Sequence, residues 1–133
     1  MIYYLSKEEI IYLNKIMIDI YGGIYFEGGC NIKNLNSFEF LLAAPKQNIF
    51  GKELYHSVFL KAATYLFYII KDHTFNDGNK RTGMMAAFLF LAKNNIIIRE
   101  HVDSIRIVNY AERIASCKPT INNISNWLKI ISY

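Results

Sequence analysis

One stretch of the chain concentrates reactive side chains. His73-Thr74-Phe75-Asn76-Asp77-Gly78-Asn79-Lys80-Arg81-Thr82 places an imidazole, a carboxylate, amides and two cations side by side. Asp77-Gly78 is a turn pair and residues 79–92 are good helix formers, which predicts a helix starting at or just after Gly78 with Lys80 and Arg81 in its first turn. A helix N-terminus already carries partial positive charge and unpaired N–H groups, so each cation there costs about 0.3–1 kcal/mol unless an anion offsets it. Free N–H groups, a glycine that lets a ligand approach the backbone and two cations together describe a phosphate-binding site. Asp77 could hold a Mg²⁺ that bridges phosphate oxygens, because that ion takes one or two carboxylates plus substrate phosphates. His73 stands where an imidazole could take the proton of an attacking hydroxyl. Taken singly, each residue has an ordinary structural explanation: Asp77 as a helix cap, His73 as a hydrogen-bonded structural histidine, Lys80 and Arg81 as solvated charges. Phe75 reads as core under either view, anchoring the loop from beneath. The structural explanations do not account for all of them falling within nine residues.

The elements that must position this stretch are mainly helical. Ser6 and Glu9 form a capping box, and Ile10, Leu13, Ile16, Met17 and Ile20 recur at helical spacing, predicting an amphipathic helix over Lys7 to Ile20. Tyr21-Gly22-Gly23 ends it, and Ile24 to Lys33 reads as a loop at the rim of the site, with no assigned role. Leu35 to Ala43 predicts a short helix ended by Pro45. Gln47 to Tyr55 reads either as a small exposed hairpin turning at Gly51-Lys52 or as an ordinary loop.

Ser57 to Lys71 is apolar on nearly every side, which places that helix in the middle of the molecule. Its expected partner is Asn79 to Lys93, where Gly83, Ala86 and Ala87 allow close approach and Met84, Met85, Phe88, Leu89, Phe90 and Leu91 fill the core. The reactive stretch is thus strung between two buried helices, a rigid support for a site. His101 to Ser116, with Val102, Ile105, Ile107 or Val108, and Ile114, and Ile121 to Ile131, with Ile124, Trp127, Leu128 and Ile131, predict two further helices. His56 and His101 lie outside the reactive stretch and read as structural or exposed.

The chain has 133 residues, enough for one domain that buries about two-thirds of its unfolded surface. Although 53% of its residues are hydrophobic, Lys, Asp or Asn interrupt each apolar run before the length needed to span a bilayer. The N-terminus lacks a basic segment followed by an apolar core, so the expected location is the cytoplasm. Cys30 and Cys117 are far apart with no metal-ligand spacing and read as free thiols. The formal charge of +4 is spread along the chain without a basic run interleaved with aromatics, so direct nucleic-acid binding is not the expectation. No P-loop, H-R-D or D-F-G element is present, so any nucleotide chemistry rests on residues 73–82.

The stretch from His73 to Arg81 resembles the signature of the Fic/Doc family, H-x-F-x-[D/E]-[G/A]-N-[G/K]-R, at every position that pattern constrains. Ala44 to Tyr55 is similar to a segment of short members, the death-on-curing toxins of toxin–antitoxin pairs. The resemblance implies a mainly α, single-domain bundle over 1–133 of about six helices, with a flap at about 45–55 over the active-site loop and helix start, 73–82. It implies His73 as base, Asp77 as Mg²⁺ ligand, Gly78, Asn79, Lys80 and Arg81 as the cradle for ATP phosphates, and Arg81 neutralising charge in transfer. Phe50, Gly51, Lys52 and Leu54 of the flap are implied to hold the target by strand addition.

One position separates two chemistries. Adenylyltransferases of the family carry glycine where this chain has Lys80; death-on-curing toxins carry lysine, which fills a phosphate nest and reverses the nucleotide. The expected reaction is then transfer of the γ-phosphoryl group to a protein hydroxyl, with translation elongation factor Tu as the acceptor by analogy. Gly78 departs from the alanine of the death-on-curing type, and Thr74 from a common proline. AMP transfer and an inactive or binding-only module are the alternatives. The inhibitory motif [S/T]-x-x-x-E-[G/N] of other members is missing, since Gly23 precedes Glu27-Gly28 by the motif's spacing, so a separate antitoxin protein is the expected inhibitor.

Overall fold

The computed structural model describes residues 1–99 and 103–132. The described residues form six α-helices: α1 (Lys7–Tyr21), α2 (Leu35–Ala43), α3 (Val58–Lys71), α4 (Asn79–Lys93), α5 (Ser104–Cys117) and α6 (Ile121–Ile131). A 3-10 turn, Ala44–Lys46, and a hairpin of β1 (Asn48–Ile49) and β2 (Lys52–Glu53) connect α2 to α3. The mainly helical class and the small hairpin agree with the sequence reading.

Local chemistry fixes where most helices start. Ser6, Asn34, Ser57, Asp103 and Thr120 each accept the N–H of the residue three positions on, at 3.1, 3.1, 3.1, 2.8 and 3.1 Å. Each bond satisfies a donor that the helix itself cannot, worth about 0.5–2 kcal/mol. The exception is α4, which starts from Gly78 in the left-handed region (φ 75°) with no side-chain cap.

The core forms around α3, which packs against α4, α6, α2 and α5. Ala62, Ala63, Tyr65, Leu66, Ile69 and Ile70 of α3 are buried, and Gly83 brings α4 so close that a Cβ there would lie 3.3 Å from Leu66 Cδ1 and 3.4 Å from the Leu66 carbonyl oxygen. In α4, Met84, Phe90 and Leu91 are buried as expected, but Met85 is exposed and Phe88 and Leu89 are only half-buried.

α2 ends at Ala43, ahead of Pro45, which lies in the 3-10 turn that follows. The structure corrects the sequence reading in the hairpin and in α5. The hairpin turns at Phe50-Gly51, both with positive φ (51° and 79°), and Lys52 lies in β2 opposite Ile49. Two successive positive φ values make a turn whose twist matches that of the flanking strands. Asp103 caps α5, so the helix starts at Ser104; His101 and Val102 lie outside the described residues. On α5, Ala111 and Ile114 are buried while Ile105 and Val108 are exposed.

Candidate active site

The α3–α4 connection holds the reactive residues. Phe75 is fully buried and meets Phe38 edge-on with ring centroids 6.1 Å apart. Asn79 reaches back to Phe75: its Oδ1 accepts the Phe75 N–H and its Nδ2 donates to the Phe75 carbonyl, both at 2.9 Å. The Asn79 side chain is therefore a clamp on the loop, and what it offers a ligand is its main-chain N–H.

A buried amide network supports the loop from the other side. Asn14 Nδ2 donates to the Asp77 carbonyl at 2.9 Å and to Thr82 Oγ1 at 3.1 Å. Asn14 Oδ1 accepts from Asn31 Nδ2 at 2.9 Å, and the main-chain carbonyl of Asn31 accepts the Asn76 N–H at 2.9 Å. Asn14 and Asn31 are both fully buried, so these bonds act where water cannot replace them. Residues 24–33, which the sequence left without a role, thus brace the active-site loop. A signal for Asn14 existed: it sits on the apolar stripe of α1, one turn after Ile10 and one before Ile18. Asn31 and Ile24 gave none.

Asp77 does not cap α4. Its Oδ2 accepts the Ile24 N–H at 2.9 Å and its Oδ1 accepts the N–H of Gly78 at 2.8 Å. Each carboxylate oxygen keeps a lone-pair direction free, so the group is oriented by the protein and still fit to bind a cation. Gly23 makes this possible, because a Cβ there (φ 136°) would lie 2.8 Å from Asp77 Oδ2.

His73, Asp77, Gly78, Asn79, Lys80 and Arg81 line one cavity of about 430 Å³, walled on the far side by α5. His73 is exposed and takes a left-handed backbone (φ 46°) at the end of α3. No partner within the described residues accepts the N–H groups of Asn79, Lys80 and Arg81. The two cations have found partners: the Lys80 ammonium donates to both oxygens of Glu112 on α5 at 3.0 and 2.9 Å, and the Arg81 guanidinium lies over the Tyr21 ring at 4.4 Å. Neither Glu112 nor Tyr21 carried a sequence signal.

The flap residues stand apart from this cavity. A second, open cavity lies under the hairpin, lined by Glu39, Leu42, Lys46, Ile49 and Leu54 among others, and it shares no lining residue with the first. Phe50, at the hairpin tip, is fully exposed; Gly51 and Lys52 are exposed too. Cys30 and Cys117 are free and exposed, and His56 is exposed. Among the described residues, no helix is long and apolar enough to cross a membrane.

An uncapped helix start carrying Lys80 and Arg81 thus stands beside a carboxylate and an imidazole in one cavity. The chain belongs to the Fic/DOC family, whose model matches residues 4–91. It is 26% identical over 122 residues to Toxin Doc of Mycolicibacterium smegmatis, covering 92% of this chain and 88% of that protein. It is also 26% identical over 126 residues to Protein kinase doc of Escherichia phage P1, covering 95% of this chain and 93% of the relative.

Proposed function

We propose that this chain is a cytoplasmic toxin that transfers the γ-phosphoryl group of ATP to a hydroxyl of a target protein, and that a separate antitoxin protein restrains it. The observation that carries the reading is that the one α-helix start without a side-chain cap among the described residues opens into the cavity holding His73, Asp77, Lys80 and Arg81. The names of the two relatives, a toxin and a protein kinase, support it.

In this reading the N–H groups of Asn79, Lys80 and Arg81 hold phosphate oxygens, with Gly78 leaving the backbone accessible. Asp77 would hold Mg²⁺, which when bound neutralises phosphate charge. An imidazole nitrogen of His73 takes the proton of the target hydroxyl as its oxygen bonds to the γ-phosphorus. The bond from that phosphorus to the bridging oxygen breaks, and ADP leaves. Arg81 swings from Tyr21 to the charge that builds on the transferring group, an interaction worth about 10²–10³ in rate where it is lost. The hairpin segment carrying Phe50, Gly51, Lys52 and Leu54 offers the target the strand edge of β2. Translation elongation factor Tu is the target by likeness to the death-on-curing toxins.

The competing reading is AMP transfer, favoured by Gly78. ATP labelled at the γ or the α position, added to a bacterial lysate supplemented with elongation factor Tu, separates the two. Label from the γ position alone supports the proposal, and the labelled band identifies the target. Label from the α position means AMP transfer, and none from either makes the chain a binding-only module.

A further inference from the structure

The wall that α5 turns to the active-site cavity is apolar, built from Ile107, Val108, Ala111 and Ala115, with one exception. Glu112 is the single charged residue of α5 lining that cavity, and it holds the Lys80 ammonium with both carboxylate oxygens. The two side chains are 45% and 60% exposed, so solvent weakens their attraction and a ligand of higher charge can displace Glu112. An arriving polyphosphate meets a cation already engaged and a carboxylate that repels it.

We propose that Glu112 is a positioning residue of the phosphate site, holding Lys80 across the cavity until a nucleotide phosphate takes the ammonium from it. Nucleotide affinity is then set by competition between Glu112 and phosphate for Lys80. The inference rests on the reading of Lys80 as a phosphate ligand.

The test is calorimetric titration of the full chain with ATP in excess Mg²⁺, at low and high salt. Glu112→Gln is expected to bind about two- to fivefold more tightly than wild type, the range an exposed ion pair supplies, with the gain shrinking as salt rises. Lys80→Met is expected to bind more weakly, and adding Glu112→Gln to it should give a smaller gain than in wild type, since only the direct repulsion is then relieved. Loss of a merely structural contact would weaken binding, not strengthen it. Unchanged or weaker binding by Glu112→Gln, with Lys80→Met weakened, overturns the proposal and leaves the phosphate site standing. Wild-type affinity in Lys80→Met overturns the phosphate-site reading itself. An equal gain on Glu39→Gln, an exposed acid on α2, would trace the effect to overall charge and likewise overturn the role of Glu112.

Discussion

Gly78 is where backbone geometry and chemistry meet in one residue. Its φ of 75° belongs to the left-handed region, and a Cβ would lie 2.9 Å from Ile18 Cδ1 and 3.2 Å from Asn14 Nδ2. Gly78→Ala should therefore destabilise the fold by about 1–3 kcal/mol. Adding Ile18→Val, which removes the obstructing methyl, should recover part of that loss in urea unfolding; no loss in the single variant would mean that α1 yields easily. Asn14 makes a second case. Asn14→Leu removes one of the two acceptors of the Asn31 amide and the donor shared by the Asp77 carbonyl and the Thr82 hydroxyl, and should cost about 2–4 kcal/mol in urea unfolding. The sequence shows a glycine at position 78 and a turn; it does not show that Ile18, sixty residues away, is what excludes a side chain.

The helices were legible as elements because they carry local instructions. Capping side chains mark five of the starts, and apolar periodicity marks the buried face of α6 and, apart from Ile20, which is exposed, that of α1. What was not legible depends on contacts between distant segments: the bracing of the 73–82 loop by residues 24–33, and the partners of Lys80 and Arg81. Lys61 shows the same limit. It lies in the first turn of apolar α3 with its side chain 2% exposed, donating to the Pro45 carbonyl at 2.9 Å and to Glu53 of β2 at 3.2 Å. Among the described residues this is the one side-chain hydrogen bond that ties the hairpin to the helices. Glu53→Gln should therefore speed amide exchange in residues 48–54 by about two- to fivefold, with the helices unaffected. Exchange at the wild-type rate would show that the hairpin holds its posture without Lys61.

At the scale of the whole molecule, the Ser6–Glu9–Lys93 contact pins the start of α1 to the end of α4. Burial pushes the Glu9 carboxyl up, but the Lys93 ammonium and the Ser6 N–H outweigh it, and the net shift is below the ordinary value of 4.5. A depressed carboxyl stabilises the fold above its unfolded-state value and loses that contribution as pH falls through its folded-state value. The thermal midpoint should thus drop in acid below about pH 4.5 more steeply for wild type than for Glu9→Gln; parallel curves would place the acid sensitivity elsewhere.

The family was legible at this scale because the motif is one contiguous stretch between α3 and α4. In the proposed function, the cavity at the start of α4 transfers a phosphoryl group and His73 is its base. The most direct test is the rate of γ-label transfer from ATP to purified elongation factor Tu by wild type and His73→Ala, with folding checked by circular dichroism. His73 is exposed, so the variant should fold as wild type does and transfer about 10²–10⁴ times more slowly. Transfer by a folded His73→Ala protein at the wild-type rate would contradict the account.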